Sequence, residues 1–120
     1  MDWQLDLGLS ELHAPEIMVG GSMMERFEAF HALNPHVMRA LIRLARWTQN
    51  DGWRVCSIKL LFEQLRWQWA VQTQGDVYKL NNNFHAYYAR LIMHRHPDLA
   101  GFFRIRRQAD GYDPALTPEG

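Results

Sequence analysis

A chain of 120 residues suffices for one hydrophobic core and leaves roughly 60 residues for each of two, which is marginal. Its 48% apolar content is ordinary for a globular protein, no apolar run approaches the roughly 20 residues that span a bilayer, and its single cysteine, Cys56, excludes a disulfide within the chain. The formal net charge of zero hides a sorting: residues 1–35 carry six acids against Arg26, a net of −5, residues 36–107 carry twelve Lys and Arg against four acids, a net of +8, and residues 108–120 carry three acids, a net of −3.

Residues 1–21 read as an acidic N-terminal arm. Leu5, Leu7, Leu9 and Leu12 offer apolar contacts, but Gly8, Pro15, Gly20 and Gly21 interrupt any long element. The first sixteen residues hold no Lys or Arg, so neither a signal nor a transit peptide is expected. With the lack of disulfides, this sets the expectation of a cytoplasmic protein.

Ser22 and Glu25 have capping-box spacing ahead of a helix over about 23–33, with Met23, Phe27 and Phe30 on one side. Asn34-Pro35 restarts the chain as a second helix, Asn being a good N-cap and Pro a good first residue. Val37, Leu41, Leu44 and Trp47 form its apolar face, Arg39, Arg43 and Arg46 a basic stripe, and Gly52 suits its C-terminal stop. Trp53–Cys56 is short and β-prone. Ser57 then caps a third helix, about 58–71, whose apolar set is Ile58, Leu61, Phe62, Leu65 and Trp69. A connection over 72–80 leads to Asn81, Asn82 and Asn83 and a fourth helix, about 83–95, stopped by Pro97. Residues 102–107 read as a strand, with Phe103 and Ile105 on one face and Arg104 and Arg106 on the other. Residues 108–120 read as a loose C-terminal tail.

The fold expected is mainly α: a winged helix-turn-helix-like core with a short β-ribbon over residues 22–107. Two features fit it poorly, the long connection between the last two helices and the lack of a second wing strand. A small four-helix assembly is the competing fold.

The stretches SIKLLFEQLRWQ (57–68), GDVYKLNNNF (75–84) and YYARLIMHRHPDLAGFF (87–103) resemble a group of small proteins encoded by phages and prophages. The resemblance covers roughly residues 29–107. It implies a phage or prophage setting, where small proteins serve as DNA-binding regulators or as inhibitors of host defence, and it transfers no catalytic residues.

In the DNA-binding reading, the start of the last helix approaches the major groove. Asn82, Asn83 and His85 lie in its first turn and Arg90 one turn on, and Asn can pair bidentately with adenine. Arg104, Arg106 and Arg107 contact phosphates as a wing does, and Arg39 and Arg43 extend the track. Each has a plainer reading: capping for the Asn residues, protection of an edge strand for the strand arginines, a solvated face for the helix arginines. The alternative function is a non-catalytic protein-binding inhibitor of a host defence complex. Trp67 and Trp69 support it, because they lie on nearly opposite sides of one helix and only one can enter the core. The acidic arm would join that contact surface, and a second copy of the chain is a further candidate partner.

No enzyme is expected: the chain has no Gly-rich phosphate loop, no G-x-S-x-G and no H-E-x-x-H. Cys56 reads as a structural thiol. His85, His94 and His96 lack the spacing of a metal set, so no metal or other cofactor is expected, and no membrane partner either.

Overall fold

The computed structural model describes residues 21–73, 82–104 and 111–118. Four helices, α1 (Met23–Leu33), α2 (Pro35–Asn50), α3 (Ile58–Thr73) and α4 (His85–Arg95), dominate it, with two short strands, β1 (Cys56–Ser57) and β2 (Phe103–Arg104). The protein is therefore mainly helical with a small β element.

α1 starts at the expected capping box. The Glu25 N–H donates to Ser22 Oγ at 3.2 Å, and the Ser22 N–H donates to the Glu25 carboxylate at 3.2 Å. Such a cap is worth about 1 kcal/mol. The α1–α2 junction falls at Asn34-Pro35, but Asn34 does not cap α2. Its Nδ2 donates backwards to the Phe30 carbonyl at 2.9 Å, so the buried side chain closes α1 while Pro35 opens α2. α2 buries Val37, Met38, Leu41 and Leu44 and exposes Arg39 and Arg43, as its periodicity predicts. It ends before Gly52, whose φ of +102° is a left-handed conformation that a side chain would strain.

Ser57 is both the last residue of β1 and the cap of α3, its hydroxyl oxygen accepting the Leu60 N–H at 3.4 Å. β1 and β2 pair in parallel, Cys56 beside Phe103 and Ser57 beside Arg104. A parallel pair needs a long crossover, and here α3 and α4 lie within it. A wing, by contrast, opens as an antiparallel hairpin, which is not found among the described residues. The expected ribbon is thus a two-residue parallel pairing. The continuation of the strand at Ile105, Arg106 and Arg107 lies outside the described residues, as do the arm at 1–20 and the connection at 74–81.

α4 occupies the centre and packs against α2 and α3. Phe27 of α1 meets its aromatic side chains, with ring centroids 4.8 Å from Tyr88 and 5.3 Å from Tyr87. His31 is buried in the same cluster, edge-on to Tyr88 at 5.9 Å. The C-terminal segment, expected loose, is instead held on α4 over residues 111–118. Tyr112 packs on Phe27 and Tyr87, its hydroxyl lies 2.6 Å from Thr117 Oγ1, and Arg95 donates to the Thr117 and Pro118 carbonyls at 3.1 and 2.7 Å. An aromatic ring and an arginine facing two carbonyls explain why this segment stays on the domain.

Candidate functional site

The residues expected to read bases sit at the start of α4, and that start faces the core. His85 is 8% exposed, and Ala86, Tyr87, Tyr88 and Ala89 are buried with it. Its ring stands edge-on to Phe62 at 6.2 Å. A base-reading helix must project its first turn into the major groove. His85, Ala86, Tyr87, Tyr88 and Ala89 cannot do so from inside the core, which leaves Asn83 as the exposed member of the expected row among the described residues. Asn82 and Asn83 belong to a short 3-10 turn, Asn82–Phe84, that leads into α4. Asn83 is exposed and Arg90 half-buried, and both make contacts within the chain. The cause lies in the sequence: apolar groups at Phe84, Ala86, Tyr87, Tyr88, Ala89, Leu91 and Ile92 cover most of the helix circumference and leave one sector to Arg90 and His94, the pattern of a largely buried helix.

The expected phosphate contacts divide. Arg39 and Arg43 are exposed on the α2 stripe, and Arg104 is exposed at the end of β2. The third stripe member, Arg46, is committed elsewhere: its Nη1 donates to Asp98 Oδ2 at 2.6 Å, tying α2 to the turn after α4. That hydrogen bond holds the Asp98 carboxyl below its ordinary range. Arg106 and Arg107 lie outside the described residues. Arg66 faces Glu63 at 3.7 Å.

Trp67 is 60% exposed, and the side chain of Trp69 lies outside the described residues. Trp67 is not isolated. Six large apolar side chains are exposed among the described residues, and four of them, Trp53, Val55, Leu60 and Trp67, fall within fifteen positions of one another. Two of these, Trp53 and Leu60, also meet in space as walls of one groove, unlike ordinary scattered exposure. Beside them a groove of about 370 Å³ runs between α2 and α3, lined by Leu44, Trp47, Trp53, Leu60, Gln64 and Gln68 among others. Trp53 at 50% and Leu60 at 54% exposure form its open edges.

The groove was missed in the sequence because its walls come from three segments. A partial signal existed in α3. Leu60 and Trp67 are left over from the inward apolar set and lie seven residues apart, with Gln64 between them, which places all three on one outer stripe.

Cys56 lies at the groove floor, where burial pushes its thiol above the usual range. A raised thiol is a poor nucleophile at neutral pH, in keeping with a structural role. Among the described residues, no group of three His, Cys, Asp or Glu side chains could hold a metal ion, and no helix is long and apolar enough to cross a membrane. The chain matches no protein-family model, no curated protein and no solved structure.

Proposed function

We propose that this protein is a non-catalytic protein-binding module that grips an apolar, acid-flanked segment of a partner in the groove between α2 and α3. The observation that carries the reading is the pair of exposed side chains Trp53 and Leu60 that line a groove with an apolar floor, with exposed Trp67 two turns beyond Leu60 on α3. Burying such side chains against a partner supplies the kind of anchor that dominates interface energetics. Charge selects the partner's chemistry. The stretch 36–107 carries a net of +8, and Arg54 and Lys59 are exposed in the segments that bear Trp53 and Leu60. Asp51 lines the groove itself, so a segment with an apolar centre and acidic flanks would meet these cations beside the groove and not within it.

The resemblance to small phage and prophage proteins gives the setting. The partner is then a host protein of the bacterial cytoplasm, with a defence complex as the target class. Duplex DNA, the partner favoured from the sequence, keeps support among the described residues from exposed Arg39, Arg43 and Arg104, which suit phosphates, and from exposed Asn83.

The test uses the full chain and its Leu60→Glu variant as immobilised baits in bacterial host extract, with duplex DNA titrations and light scattering in parallel. The expected result is a partner protein held by the parent and lost by the variant, at unchanged melting temperature. Three results overturn the reading: no protein lost on substitution; duplex DNA binding that falls steeply with salt and survives Leu60→Glu; or a dimer that Leu60→Glu dissociates, which assigns the groove to a second copy.

A further inference from the structure

A second recess has the opposite chemistry. β1 and β2 run parallel and in register, so Ser57 and Arg104 stand side by side, and α3 departs directly after Ser57. A helix that departs directly from a strand leaves a crevice at that strand's carboxyl end, a place that ligands favour in open α/β sheets. Here the crevice encloses about 130 Å³ between Ser57, Lys59, His85, Ala86, Ala89 and Arg104.

Among the described residues its charge is uncompensated. Lys59 and Arg104 have no ion-pair partner among the described residues, and no acid among those residues lines the crevice. The other two cations in described ion pairs, Arg46 and Arg66, face Asp98 and Glu63. Two like charges converging on one recess repel each other, and an anion between them turns that repulsion into attraction. The walls add polar groups. His85 is 8% exposed and held by Phe62, and the Ser57 hydroxyl, which accepts from Leu60, still has its own proton to donate. Ala86 and Ala89 form a small-residue floor, so the space is not filled by the protein itself.

From this recess we infer a binding site for a terminal phosphate, the group of a phosphate monoester. The volume suits one tetrahedral group. Two cations match a dianion better than the single charge of a carboxylate. The guanidinium fork of Arg104 suits paired oxygens, and Lys59 supplies a point charge. A phosphodiester is substituted on both sides and carries one charge, so it would have to lie across the mouth instead of entering.

The site is independent of the apolar groove and is tested separately on the full chain. Inorganic phosphate and methyl phosphate are titrated at constant ionic strength against isotope-labelled protein, with chloride and dimethyl phosphate as controls. The amides of Ser57, Ile58, Lys59 and Arg104 are followed. The expected result is a saturable shift confined to those amides with phosphate and methyl phosphate. It weakens by about tenfold or more in each of Lys59→Gln and Arg104→Gln, in line with loss of one charge-assisted contact. Both variants remove exposed side chains, so their melting in chloride should match the parent. The inference is overturned if no saturable shift appears, if chloride reproduces it, or if both variants bind phosphate as the parent does. Equal binding of dimethyl phosphate overturns the monoester assignment.

Discussion

α3 and α4 are rich in the same kinds of residue, yet they hold opposite positions. α4 buries seven of its eleven residues, His85, Ala86, Tyr87, Tyr88, Ala89, Leu91 and Ile92. α3 buries Ile58, Leu61, Phe62 and Leu65 along one face and leaves Leu60 and Trp67 in solvent. The difference lies in where the apolar groups fall around each helix. In α4 they cover all but the sector of Arg90 and His94, so it becomes the element on which the others pack. In α3 they fill one face and spill onto another, so it stays at the edge with apolar surface to spare. A helix consumed by the core has little left for recognition, and the lateral helix does.

The contrast can be broken most directly at Leu91, which is fully buried. Leu91→Ala should destabilise the protein by about 3 kcal/mol, the usual range for a leucine deleted from a core, measured by urea denaturation. A loss under about 1 kcal/mol would mean that α4 is not central.

Acid should loosen the same cluster. His31 is packed against Phe27 and Tyr88, and both ring nitrogens lack a hydrogen-bond partner among the described residues. Burial first, and then the nearby Arg95 charge, lower its pKa from 6.5 to about 4. The unfolded chain therefore takes up the proton before the folded one does. The contribution of neutral His31 is fully present above pH 6.5 and is lost as pH falls towards 4, by about 3 kcal/mol in total. Stability measured across this window should show that slope, and His31→Phe should flatten it. An unchanged slope in the variant would move the acid sensitivity to other groups.

Tyr88 tests how well the centre is satisfied. Its ring is fully buried, and its hydroxyl has no hydrogen-bond partner among the described residues. Tyr88→Phe removes an unpaired polar group and should raise stability by about 1 kcal/mol. A loss instead would show that the hydroxyl is bonded. The smallest change is expected on the lateral helix. Leu60→Ser should alter stability by no more than about 0.5 kcal/mol, since the side chain is largely exposed already. A larger loss would make Leu60 part of the core and not of a binding surface.

Local chemistry was legible in the sequence wherever neighbours in the chain decide the structure. Ser22 with Glu25 starts α1, Pro35 opens α2, Gly52 follows its end, and Pro97 follows α4. Direction was less legible. Asn34 was expected to cap the helix after it and bonds to the one before, since an Asn between two helices can serve either. Burial at the start of α4 is set by the aromatic residues that follow the Asn triplet and not by the triplet itself. Phe27 and Phe62 decide that question, and they lie far away in sequence. The groove and the cationic crevice were not legible for the same reason. Each is assembled from segments that only the parallel β1–β2 pairing and the α2–α3 packing bring together.

The segment 111–118 has a consequence for biosynthesis. Phe27 and Tyr87 share a wall with Tyr112, and Arg95 at the end of α4 is engaged by the carbonyls of Thr117 and Pro118. While the ribosome still holds that segment in its exit tunnel, the nascent helices lack one side of their aromatic cluster, and greasy surface stays open to whatever is nearby. Completion of the fold thus waits until residues 111–118 have left the tunnel, and chaperone contact belongs to that interval.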